Sequence, residues 1–166
     1  MIHRSLICCL QVSKTCCMVH RAYAYKRIRS GRYVFISEGR RRIKKIVDFK
    51  PVTGNIVNLG FGDLSHGGII DDKANSNNGD ILKILVTVVE ILRDYTARYP
   101  GVAIHFMGST ERRTRLYCRI LTSYYHLFSE DFTLAGIIST PAGEKTIAFN
   151  PDAIEKYQAF LIKKKS

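Results

Sequence analysis

Val102-Ala103-Ile104-His105-Phe106-Met107 runs straight into Gly108-Ser109-Thr110-Glu111-Arg112-Arg113-Thr114-Arg115-Leu116-Tyr117. The first six residues read as an apolar strand. The next ten turn through glycine and two hydroxyl residues and open a helix-like run that reaches Phe128. The strand–helix alternation to which this stretch belongs brings at least one parallel neighbour into the sheet. The turn also gathers the unbonded N–H groups of a helix start at its positive dipole end. Arginines on the first turns of that helix suit a phosphate or carboxylate. This stretch therefore predicts an element order and the charge of a ligand, but no reaction.

The flanking segments fill in the order. Tyr33-Val34-Phe35-Ile36-Ser37 is β-branched and aromatic, and Ile43 to Phe49 resumes after Glu38-Gly39-Arg40, so the two read as a hairpin. Ile56 to Asp63 alternates, with Val57, Leu59 and Phe61 on one face. Residues 65–79 are rich in Gly, Asp and Asn and read as loop. Asp80 to Arg98 is the clearest helix, with Ile81, Ile84, Leu85, Val88, Leu92 and Tyr95 at helical spacing. Asn77 or Asn78 is placed to cap it. After the second helix, 111–128, come strands at Phe132–Ile138 and Thr146–Phe149, joined by Thr140-Pro141-Ala142-Gly143. Pro151 then predicts a short last helix to Phe160, with Lys163-Lys164-Lys165 as a solvated tail. The expectation is an α+β domain over residues 23–166. It has a mixed sheet of about six strands in the order β-β-β-α-β-α-β-β-α, with its helices packed against the sheet.

The chain has 166 residues, 46% of them hydrophobic, which suffices for one domain with a real core. No run of 18 apolar residues suggests a membrane span, so no membrane partner is expected. Residues 1–50 hold 13 Lys+Arg against Glu38 and Asp48, a net of +11 of the chain's +12. Basicity confined to one third points to an acidic partner, nucleic acid first. The plainer reading is a solvated basic edge. Residues 1–22 read as a disordered or loosely ordered extension. The apolar run Leu6–Leu10 is too short for a signal peptide, and Met18 offers a second start. The vicinal pairs Cys8-Cys9 and Cys16-Cys17 lack the spacing of a structural zinc site. Cys118 alone in the body fits a small buried residue in a reducing cytoplasm. No metal or cofactor is expected, and the oligomeric state is not readable.

Three groups of residues carry candidate chemistry. Ser109, Thr110, Arg113 and Arg115 form the candidate anion site. Arg112, Arg115 and Arg119 share one helix face, and Arg113 lies nearer the helix start. Four arginines without a lysine favour bidentate recognition, although a row of scaffold ion pairs gives the same sequence. Asp63, Asp72, Asn78 and Asp80 form a possible polar site at a strand end, a loop and a helix start. Such carboxylates can hold Mg²⁺ for a nuclease, and they can equally cap helices and make turns. His105 reads as a core histidine. Tyr117, Tyr124 and Tyr125 read as packing residues that keep a wet hydroxyl. The β-β-β-α-β-α order is similar to that of ribonuclease H-like folds. That chemistry needs a carboxylate on the first strand, where Tyr33–Ser37 has none.

From Tyr33 to Lys164 the chain resembles a bacterial family catalogued as domain of unknown function 6934. The resemblance rests on Tyr33–Gly39, Asn58-Leu59-Gly60-Phe61-Gly62-Asp63, Asp71-Asp72 with Ser76–Asp80, and Gly108-Ser109-Thr110 with Arg113–Tyr117. It implies a fold unit and no mechanism. Together the readings point to a cytoplasmic protein that binds a phosphate-bearing ligand, with nucleic acid favoured. The alternatives are a protein-interaction module, such as a toxin–antitoxin-like component, and a metal-dependent nuclease.

Overall fold

A computed structural model describes residues 21–65, 67, 70–71, 78–153 and 156–166. Strands β1 (Tyr25–Arg29), β2 (Arg32–Glu38), β3 (Arg42–Thr53) and β4 (Ile56–Leu64) form an antiparallel run, and a short β5 (Ile70–Asp71) pairs with β4. Helix α1 (Ile81–Arg98) leads to β6 (Ala103–Phe106), which lies parallel to β4. Helices α2 (Glu111–Ser123) and α3 (Tyr125–Ser129) lead to the hairpin β7 (Phe132–Thr140) and β8 (Gly143–Ala148). The last strand, β9 (Tyr157–Lys164), inserts between β6 and β7 and runs antiparallel to both. The spatial order is β1-β2-β3-β4-β6-β9-β7-β8. The architecture is an α+β fold built on a mixed sheet.

The parallel pair expected from the strand–helix alternation is β4 with β6, joined through α1 rather than through the β6–α2 turn. α1 carries the chain from the end of β4 back to the start of β6. Ile84, Leu85, Val88, Leu92 and Tyr95 are buried as the helical spacing predicts, joined by Ile91, whereas Ile81 stays exposed. The buried face packs on one side of the sheet. The Tyr95 ring stacks on Phe49 at 3.8 Å, and Tyr33 donates from its hydroxyl to Asp94 at 2.8 Å. α2 packs on the same side, where Tyr117 meets Phe106 edge-on. The shared core runs from Tyr23 and Phe35 through Ile104 to Phe132, Phe160 and Ile162.

Four expectations need correction. The strand count exceeds six, because β1, β5 and β9 join those foreseen. The expected last helix does not form from Tyr157 on: residues 157–164 are β9, with Tyr157, Ala159, Phe160 and Ile162 buried. Strands on both flanks pair its backbone, and this tertiary pairing outweighs the helix signal of Pro151. The lysine tail is exposed but anchored. Lys164 reaches Asp131 at 3.0 Å and lies over the Phe132 ring, and the Lys165 N–H donates to the Asp131 carbonyl. The second helix breaks in two, at Tyr124. Asp72 and residues 1–20 of the expected extension lie outside the described residues. Among the described residues, no helix is long and apolar enough to cross a membrane.

Candidate functional site

The turn from β6 into α2 is held from within. Thr110 takes an extended conformation at the N-cap, and its side-chain oxygen accepts from the Arg113 N–H at 3.3 Å. The buried Gly108 N–H donates to Thr114 Oγ1 at 3.1 Å, which folds the turn back onto the first turn of the helix. Only glycine fits there. A Cβ on residue 108 would sit 2.4 Å from the Thr114 nitrogen and 2.6 Å from the Arg113 Cβ. Ser109 is exposed beside it. Arg113 is partly buried, with its stem packed against Gly108, and makes no ion pair within 4 Å among the described residues. Arg115 is exposed and bonds Glu111 one turn back at 2.8 Å, where Lys156 also lies at 3.3 Å. The structure therefore groups Ser109, Thr110 and Arg113 at the helix start. It places Arg115 in a local ion pair.

The possible polar site separates into two units, each tied to β2 or β3. Asp63 pairs with Lys45, whose side chain is almost fully buried. Asp80 sits at the N-cap of α1 without capping it. Its Oδ2 accepts from the Tyr23 hydroxyl at 2.7 Å and from the Ser37 hydroxyl at 2.6 Å. Asn78 is buried and donates to Ser37 Oγ and to the Arg41 carbonyl, while its own oxygens accept from the Arg40 and Arg41 N–H groups. These residues clamp the β2–β3 turn to the start of α1. Burial and the Asp80 hydrogen bond raise the Tyr23 pKa above its ordinary value. Among the described residues, no three His, Cys, Asp or Glu side chains group as metal ligands. His105 is partly buried rather than a core residue; its Nδ1 lies 3.1 Å from the Asn58 side-chain oxygen, and burial lowers its pKa.

The basic residues of the first third lie on β1–β3 and the β2–β3 turn. Between residues 21 and 50, eleven Lys+Arg face two acids. Some are paired: Arg32 and Lys50 with Asp48, Arg42 with Glu38, and Lys45 with Asp63. Lys26, Arg40, Arg41 and Lys44 are exposed and make no ion pair within 4 Å among the described residues. Lys26 and Lys44 project from the same side of the sheet. Lys26 lies opposite Val34, and Lys44 lies opposite Ile36, two residues further along β2.

A cleft that residue types alone did not reveal opens between α1 and α2. It lies over the carboxyl ends of the parallel strands β4 and β6 and encloses about 550 Å³. Its wall is mostly apolar, with Phe61, Leu85, Phe106 and Ile120 among the lining residues and Ser109 in the turn between β6 and α2. Ile81 and Met107 also line it and stay 44% and 54% exposed, although helical spacing puts Ile81 on the apolar face of α1.

The profile of a family of unknown function, DUF6934, matches residues 20–165. The chain belongs to this family. The match reaches further toward the N-terminus than the Tyr33 start of the motif resemblance, and so takes in Tyr23 and β1. No curated protein and no solved structure matches the chain.

Proposed function

We propose that the protein binds nucleic acid through the basic strands β1–β3 and the β2–β3 turn. One observation carries this reading: Lys26, Arg40, Arg41 and Lys44 are exposed and outside the ion pairs among the described residues, in a segment with eleven basic and two acidic side chains. Exposed cations without a neutralising partner hold condensed anions or the backbone of a polyanion, and they release counterions when a phosphate backbone replaces those anions. The rest of the chain is close to neutral, so the field is directional and steers a polyanion to this end of the sheet. The neighbouring carboxylates do not oppose it, because Asp48 and Asp63 are each held by a basic side chain.

Titration of labelled duplex DNA, single-stranded DNA and RNA at several salt concentrations tests the reading. Four neutralised phosphates give a log–log slope of about −3.6 on duplex DNA and about −2.8 on single strands. No binding at low salt removes nucleic acid as the ligand.

A further inference from the structure

The cleft between α1 and α2 is independent of the basic strands and has a different chemistry. We propose that it is a small-molecule site for a compound with an apolar body and one anionic group. The volume of about 550 Å³ lies within the range of pockets that enclose a small ligand, and the mixture of apolar wall and few polar groups is typical of them. Both helices, strands β4 and β6 and the turn residues Met107, Gly108 and Ser109 shape it. Ile81 and Met107 remain exposed at its edge. Exposed apolar side chains bordering a concave apolar surface leave hydrophobic area that a ligand would remove from water.

The charge of the ligand follows from the turn after β6. Ser109 lines the cleft, and the adjoining Gly108 wall is packed against the stem of Arg113. Arg113 is the arginine of this helix start that is partly buried and makes no ion pair within 4 Å among the described residues, whereas Arg115 is already paired with Glu111. Arg113 is not itself a lining residue, but it shares the α2 face of the lining residues Tyr117 and Ile120 at i, i+4 and i+7, so an anionic group beside Ser109 lies on the side of the helix from which the Arg113 side chain extends, while the apolar body fills the space between Leu85 and Ile120. A charge-assisted hydrogen bond at the edge of an apolar cavity is stronger than one in open water.

The test uses two fluorescent probes of similar apolar bulk on the full chain: 8-anilinonaphthalene-1-sulfonate, which is anionic, and N-phenyl-1-naphthylamine, which is neutral. Both are expected to bind saturably, one per protein, and to compete with each other. Ile120→Trp fills the cleft and should remove the saturable binding of both. Leu85→Phe serves as a second filler should the first not fold, with melting curves as the check. Arg113→Ala should weaken the anionic probe roughly tenfold, the effect of deleting one charge-assisted hydrogen bond. It should leave the neutral probe unchanged. The paired Arg115→Ala should affect neither. The proposal is overturned if neither probe saturates, if folded filler variants still bind, or if Arg113→Ala weakens both probes alike. DNA binding by the same variants shows whether the basic strands act separately, and their failure would leave the probe result intact.

Discussion

Asp48 shows how a basic third coexists with a core. Its carboxylate is 5% exposed on β3 and receives two hydrogen bonds from Arg32 across the β2–β3 pair, at 3.1 and 2.6 Å. Those bonds hold its pKa below the ordinary carboxylate value, against the opposing effect of burial. Arg32→Ala leaves the charge buried with Lys50, 3.8 Å away, and the more distant Arg29 as partial compensation. The expected loss is about 3 kcal/mol at pH 7, the lower end for a broken buried pair. A depressed carboxylate pKa stabilises the fold above the unfolded value of about 3.9, and that contribution disappears as pH falls through the lower folded value. Urea unfolding of wild type and Arg32→Ala should therefore differ most near neutral pH and converge in acid. Arg115→Ala, in an exposed helical pair, should stay within roughly ±0.5 kcal/mol. Equal penalties for the two substitutions would contradict this division between structural and solvated arginines.

At the scale of elements, α1 was readable because nine of its residues are buried along one arc, seven of them apolar, and periodicity reports burial directly. The strand–glycine–helix passage was readable for the same physical reason that Gly108 is required: the turn closes onto Thr114 with no room for a side chain. Gly108→Ala presses a Cβ against helix backbone that cannot yield. It should cost about 1–3 kcal/mol in chemical unfolding, and an unchanged midpoint would show that the turn opens easily. β1 was hidden, since Tyr25-Lys26-Arg27-Ile28-Arg29 has two apolar residues and reads as charged coil; as an edge strand it needs only one partner. β9 was hidden because a central strand carries apolar residues on both faces and loses the alternation that marks a half-buried one. The cleft escaped too, because an apolar residue that lines a cavity has the same identity as one that fills a core. The positions of Asp63 and Asp80 at a strand end and a helix start were legible. Their partners, Lys45, Tyr23 and Ser37, lie 18, 57 and 43 residues away and left no local trace.

Across the whole molecule, the first and last described strands, β1 and β9, belong to one sheet. β9 is hydrogen-bonded to both β6 and β7, and Phe160 and Ile162 are 1% exposed. Truncation before Tyr157 removes the link between the β1–β6 and β7–β8 parts. It should abolish cooperative unfolding in circular dichroism, and a truncated chain with a sharp transition would contradict this topology. The basic strands lie at the opposite end of the sheet order from β7–β8, so their charge can be removed without disturbing that link. The most direct test of nucleic-acid binding compares salt slopes for wild type, for Lys26, Arg40, Arg41 and Lys44 all changed to Gln, and for Arg112, Arg115 and Arg119 all changed to Gln. On duplex DNA the strand variant should flatten the log–log slope by about 0.9 for each phosphate it no longer neutralises, and the helix variant should keep the wild-type slope. A wild-type slope in the strand variant, or an equal flattening in both, would contradict the proposal that β1–β3 is the nucleic-acid face.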